Sequence, residues 1–288
     1  MTVSPGEYTL KVKGLELWYK VAGKGPVLMV QPPGWGLGVG PYEQTFRPRE
    51  SEFTLIYHDT RGSGRSQTPV NSEDINVGAF VEDLESLRTH LELDSFALMG
   101  HSHGGYTALN YALKYQRHVS HLLPLDAQLG VEEPGQDLQR TLPELAKDAR
   151  LADAAKAFGE PWQLESDRDV SAFVERIAPL YFMDPEGEGV VALREYARTH
   201  RLAVTTMRAS DASDGRFLVR DKLGTIRVPT LVLVGRHDFI CSPVQAQIIH
   251  EGIRGSKLAV FEKSGHFPWL DEPDLFFSTV TNFLKGKS

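Results

Sequence analysis

The stretch Phe96-Ala97-Leu98-Met99-Gly100-His101-Ser102-His103-Gly104-Gly105 decides the fold. It joins the apolar run Phe96 to Met99 to the helical pattern Tyr106 to Tyr115, and so reads strand, sharp turn, helix. Glycines are needed at such a turn because Ser102 must sit in a strained backbone conformation, with no bulky neighbours to clash with strand or helix. The result is a serine Oγ pushed out at the top of a sheet. The helix starts directly behind it, so the free N–H groups and partial positive charge of the helix N-terminus face any negative charge that develops at the serine. A Gly-rich turn simply capped by Ser102 is the plainer alternative. The position between strand and helix favours the exposed nucleophile.

The chain of 288 residues suits one domain of ordinary size carrying an insertion. Its 41% apolar and 24% charged residues are ordinary globular usage, and no apolar run approaches the roughly 20 residues of a membrane span. A net charge of −7 argues against nucleic acid as a partner, since phosphate binding wants clustered Lys and Arg. Cys241 is the single cysteine, so no internal disulfide forms and a reducing compartment fits. Met1 to Glu7 has no basic segment followed by an apolar one, so no secretory leader is expected. A soluble cytoplasmic protein with a small-molecule substrate, no cofactor and no membrane contact is the expectation; oligomeric state has no signal here.

Along the chain, Tyr8 to Val12 and Leu15 to Val21 alternate like paired antiparallel strands about the turn Lys13-Gly14. Val27 to Val30 is a short continuous apolar run, as in a strand buried on both faces, and leads into Gln31-Pro32-Pro33-Gly34-Trp35-Gly36. Phe53 to His58 is a further strand, followed by Asp59-Thr60-Arg61-Gly62-Ser63-Gly64-Arg65-Ser66. That loop lacks the Lys of a phosphate-binding loop, and its Asp59 and Arg61 are suited to satisfying backbone groups and each other. Asp74 to Leu93 has one apolar face at helical spacing. Val119 to Leu125 is the next strand, and this strand and helix repetition implies a parallel sheet with right-handed crossovers.

After Asp126 the rhythm changes. Residues 128–221 carry helical patterns, such as Thr141 to Phe158 and Val170 to Phe182, with a weak strand signal only at Phe217 to Val219. This segment reads as a mainly helical cap, leaving 1–127 and 222–288 as the core. Trp162, Tyr181, Phe182 and Met183 are candidate pocket residues, although a cap also needs a core of its own. The core resumes with strands Thr230 to Val234 and Leu258 to Phe261, ending in Gly235-Arg236-His237-Asp238 and Ser264-Gly265-His266 respectively, and Asp271 to Leu284 closes as an amphipathic helix. Ligands gather at the carboxyl ends of strands in an open parallel sheet, so Ser102, Asp238 and His266 converge there despite their separation in sequence.

The Gly-x-Ser-x-Gly turn and the chain order Ser, acid, His resemble the α/β-hydrolase family. The Asp-x-Arg-Gly-x-Gly-x-Ser loop at Asp59 to Ser66 resembles most closely its proline iminopeptidase-like branch, as does Ser264-Gly265-His266-Phe267-Pro268-Trp269. That branch usually has Trp after the serine, where this chain has His103. The resemblance implies an eight-stranded, mostly parallel sheet flanked by helices, with a helical cap inserted between core strands six and seven. It also implies an oxyanion hole built from the backbone N–H of His103 and one from the loop after Val30. That loop usually begins His-Gly; here Pro32 and Pro33 have no N–H, which leaves Gly34 or Trp35 as the donor.

In this reading His266 takes the Ser102 proton during attack, and Asp238 holds the imidazole in the useful tautomer. Asp126 also follows a core strand and is the rival acid, as in some members of the family. A metal site drawn from His101, His103, His118 and His121 is disfavoured, because the first two flank a strained turn and no acids lie nearby in sequence. His237 reads as a packed or hydrogen-bonded neighbour and Cys241 as a buried thiol. Three functions stay open: an esterase or lactonase for a small, rather apolar acyl compound; a proline iminopeptidase-type aminopeptidase, with Asp184, Glu186 and Glu188 as candidates to hold a free amine; and a hydrolase-fold receptor for a small signal molecule.

Overall fold

The computed structural model describes residues 4–130 and 132–286; Met1 to Val3, the start of the stretch expected to lack a leader, lie outside them. Eight strands form one sheet: β1 (Gly6–Val12), β2 (Leu15–Gly23), β3 (Val27–Gln31), β4 (Thr54–His58), β5 (Phe96–His101), β6 (Val119–Leu125), β7 (Leu231–Gly235) and β8 (Lys257–Phe261). Their spatial order is β1-β2-β4-β3-β5-β6-β7-β8. β2 pairs antiparallel with both neighbours, and β3 to β8 are mutually parallel. Lys13 and Gly14 both take positive φ, which matches the twist of the β1–β2 hairpin. Parallel strands must be linked by crossovers that cover the sheet faces, and here they do. Leu28 and Val30 point into one apolar layer and Met29 into the other, so β3 has no polar face.

The helices are α1 (Gly40–Phe46), α2 (Val77–His90), α3 (His103–Tyr115), α4 (Glu132–Leu145), α5 (Ala152–Gly159), α6 (Asp167–Ile177), α7 (Glu188–Thr199), α8 (Val204–Ser213), α9 (Pro243–Gly252), α10 (Pro268–Asp271) and α11 (Pro273–Leu284). Asn76 starts α2 one turn later than the apolar pattern suggests, its side chain accepting the Ala79 N–H at 2.9 Å. The patterned stretch Thr141 to Phe158 is two helices, α4 and α5. The chain turns at Asp148, whose carbonyl accepts the Leu151 N–H and whose carboxylate accepts the Arg150 N–H. The Val170 to Phe182 pattern ends as α6 at Ile177, just before Pro179, and continues as a 3-10 turn. Pro273 likewise begins the last helix two residues after Asp271.

Phe217 to Val219 is not a strand. β6 and β7 pair directly with each other, so the sheet offers no edge at that point. Five helices, α4 to α8, lie between β6 and β7, and Ala154, Phe158, Ile177 and Leu180 pack there against Phe239 and Ile240 from the loop after β7. No helix among the described residues is long and apolar enough to cross a membrane.

Asp59 and Arg61 do not pair with each other. Arg61 forms a two-pronged bond to Asp83 of α2 at 2.6 and 2.7 Å, with both side chains buried. Asp59 instead bonds Arg65 and accepts the backbone N–H of Val39 at 2.7 Å, which ties the loop after β4 to the loop after β3. Removing one partner of a buried ion pair leaves an uncompensated charge. Asp83→Ala should therefore cost about 3–5 kcal/mol in urea unfolding, and replacing Arg61 and Asp83 together with apolar residues should recover most of that loss.

Candidate active site

The strand registers bring Gln31, His101, Leu125, Gly235 and Phe261 to one edge of the sheet as the last residues of their strands. Ser102 is the first residue past that edge, with φ 57° and ψ −124°. Such a conformation costs a non-glycine residue on the order of 1–3 kcal/mol. Its backbone is tied down on both sides: the Ser102 N–H donates to Leu125 O at 3.0 Å, and its carbonyl accepts from Gly105 and Gln128 at 2.9 and 3.1 Å. Side chains at Gly104 or Gly105 would run into the Pro32 carbonyl or the Ala127 side chain. The glycines are thus required by close approach.

His266 sits in the loop after β8, and its Nδ1 lies 2.7 Å from Asp238 Oδ2, with both side chains buried. An ionised carboxylate only accepts, so Nδ1 carries the hydrogen and Nε2 is left to act as a base. Asp238 follows β7, and its Oδ1 accepts the N–H groups of Ile240 and Cys241, each at 3.0 Å. Burial pushes the Asp238 carboxyl up, but His266 and these two N–H groups outweigh it and hold the group below its ordinary value.

His101 is the site residue whose part in the fold the sequence did not disclose. It is buried, its Nε2–H donates to the His266 carbonyl at 2.8 Å, and its Nδ1 accepts from the Tyr42 hydroxyl at 2.6 Å. Burial, with His266 adding to it, holds its pKa well below the usual value, so the ring stays neutral. Two further ties hold the same loop: the His266 N–H donates to Tyr181 O at 2.8 Å, and the Gly265 N–H to Asp271 Oδ2 at 2.8 Å. Tyr42 and Asp271 carried no motif. Their role depends on contacts 59 and 6 residues away in the chain.

Ser102, His101 and His266 open on a cavity of about 260 Å³ between the sheet edge and helices α4 to α8. Trp162 and Tyr181 line it, and Trp35 meets Trp162 edge to face at 5.6 Å. Phe182 and Met183 do not line it. Phe182 is buried against Phe267, with the rings stacked at 5.1 Å, and Met183 is 47% exposed. Gly34 and Trp35 both have positive φ and lie in the turn closed by the Leu37 N–H to Gly34 O bond. Gly34 packs on the His103 ring, and the His103 N–H lies in the first turn of α3.

The four histidines considered as metal ligands do not gather. His101 and His103 are buried in packing, His118 bonds the Asp94 carbonyl, and His121 meets Phe283. His237 is exposed rather than packed, and its backbone N–H donates to Ser264 O at 2.9 Å. Cys241 is buried, lines the cavity and lies with Asp238 and His266 in one cluster, its thiol pushed well up by burial and by Asp238. Asp184, Glu186 and Glu188 are all exposed and away from the cavity lining.

The chain is 29% identical over 245 residues to a proline iminopeptidase of Saccharolobus solfataricus, covering 81% of this chain and 76% of that one. Among solved structures, the esterase RhEst1 of Rhodococcus sp. superposes with a TM-score of 0.78 at 20% identity, over 99% of this chain and 100% of the other. An enol-lactonase of Burkholderia xenovorans superposes with a TM-score of 0.74 at 21% identity, over 96% of this chain and all of the other. The family model described as alpha/beta hydrolase fold matches residues 27–273. With that match spanning most of the sheet and the residues at its edge, the chain belongs to the α/β-hydrolase family.

Proposed function

We propose that this protein is a serine hydrolase that cleaves an ester or lactone of a small, rather apolar acid through an acyl-enzyme on Ser102. The observation that carries this reading is the cavity wall. It is mostly aromatic and aliphatic, and no Asp, Glu, Lys or Arg is among its described lining residues. A neutral acyl group loses little on entering such a space, whereas a charged amine would be desolvated without a counter-ion. The exposed positions of Asp184, Glu186 and Glu188 leave a substrate's free amine without a carboxylate partner there. The aminopeptidase reading keeps one support, the likeness to a proline iminopeptidase.

In the proposed cycle His266 Nε2 takes the proton of Ser102 as its Oγ attacks the carbonyl carbon. Asp238 keeps the imidazole in the right tautomer and stabilises the imidazolium without taking the proton. The N–H of His103, with that of Trp35 or Gly34, stabilises the tetrahedral oxyanion, each donor being worth about 3 kcal/mol. The imidazolium then protonates the leaving alkoxide, and water activated by His266 releases the acid. Residues 128–221 act as a cap that shapes the acyl site over the core of residues 1–127 and 222–288.

Ser102→Ala and His266→Ala should each lower turnover of a short-chain aryl ester by about 10⁴–10⁶ with an unchanged far-UV circular dichroism spectrum. Asp238→Asn should cost about 10⁴ by presenting the wrong tautomer. More than a tenth of the activity left in the Ser102 or His266 variant would refute the mechanism. Side by side, the aryl ester should be hydrolysed and a prolyl arylamide with a free amine left intact, Ser102→Ala serving as the blank; efficient release from the amide would establish the aminopeptidase instead.

A further inference from the structure

Asp238 touches a second buried carboxyl group, that of Asp126 immediately after β6. Asp126 is 0% exposed, has φ 41°, and accepts the Gly235 N–H on Oδ1 at 2.8 Å. Its Oδ2 is buried and receives no N–H or O–H donor from a described residue. Two ionised carboxyl groups have only acceptors to offer one another, so their contact becomes a hydrogen bond only when one of them carries a proton. Asp238 is the wrong one to carry it, because two backbone N–H groups and His266 Nδ1 already favour its charged form.

We propose that Asp126 is a positioning residue: it keeps its carboxyl proton and donates it to Asp238, holding in place the carboxylate that faces His266. This rests on Asp238 being the acid that orients His266. The titratable groups whose charge acts on or responds to Asp126 are Asp238 and Cys241 from the loop after β7, Tyr42 from α1 and Asp271 from α10. None of these supplies a positive charge, and His266 lies across Asp238. Burial, then the Asp238 charge, push Asp126 well above the usual carboxylate range, with only the Gly235 N–H opposing them.

The test compares Asp126→Asn and Asp126→Leu with the wild type by urea unfolding from pH 5 to pH 8 and by the pH profile of kcat and KM on p-nitrophenyl acetate. Asn keeps an acceptor for Gly235 and a donor for Asp238 but has no proton to lose; Leu keeps neither. In the unfolded chain Asp126 ionises above about pH 4, while in the folded protein it stays protonated. The stability it contributes is therefore full below about pH 4 and falls as pH rises, by about tenfold in the folding equilibrium constant per pH unit until its folded pKa is reached. The ratio of folding constants, Asp126→Asn over wild type, should rise by about that factor per unit.

Asp126→Asn should hold kcat within about threefold of wild type. Asp126→Leu should lose about tenfold or more in kcat with KM little changed, and the acidic limb of its kcat/KM profile should move to higher pH, because an Asp238 without its donor makes His266 more basic. A flat stability ratio for the Asn variant overturns the proposal, as does a Leu variant with wild-type kcat and pH profile. Loss of activity in Asp126→Asn as deep as in Asp238→Asn overturns it too, and makes Asp126 an ionised member of the site. Retained activity in Asp238→Asn sinks the catalytic assignment instead, and the stability ratio reports the Asp126 proton independently of it. Should Asp126→Leu not fold, the Asn variant alone decides.

Discussion

The backbone of Ser102 is held at a positive φ that a serine adopts only under constraint, and the surrounding architecture follows from that. The Ser102 N–H is bonded to the end of β6, and its carbonyl takes N–H groups from α3 and from the chain just past Asp126. Relaxing this turn would need β5, β6 and α3 to separate, and each has buried apolar side chains in the same layer. The strain is thus offset by packing that the sheet requires anyway. Its local effect is to place the serine hydroxyl at the cavity and the first N–H groups of α3 beside it.

A second dependence links the cavity roof to the His266 loop. Tyr181, at the end of the turn after α6, both lines the cavity and accepts the His266 N–H through its carbonyl. On the other flank, the Met183 N–H and the Gly265 N–H share one Asp271 oxygen. The helices between β6 and β7 therefore hold the His266 loop and wall the cavity through the same few bonds. A change in these helices that alters the cavity is coupled to the position of the His266 ring, since both depend on the backbone near Tyr181.

Electrostatically, the region is rich in acids that are buried from solvent. Asp238 is stabilised as an anion by directed N–H groups, and His101 is kept neutral by burial. The apolar wall lowers the local dielectric, so the few polar groups that remain act strongly on one another. This is why the contact of two carboxyl groups beside His266 matters more than any of the exposed ion pairs. Those are screened by solvent and contribute little.

Sequence by itself determined the parallel sheet, the turn at Ser102 and the order in which Ser102, Asp238 and His266 arrive at its edge. Short apolar runs ending in Gly, Asp and His are local features, and a parallel sheet brings such strand ends together whatever their separation. Tertiary structure decided the rest. Phe182 and Met183 are large apolar side chains like Trp162 and Tyr181, yet the chain leaves the 3-10 turn in an extended conformation at Phe182, and only Trp162 and Tyr181 line the cavity. Arg61 found Asp83 rather than its near neighbour Asp59, because α2 brings a carboxylate to it across the core. His101 and Asp126 owe their parts in the site to partners on other strands and loops. Local pattern encodes which face of an element is buried; which side chains meet across that buried space is set only when the elements have packed.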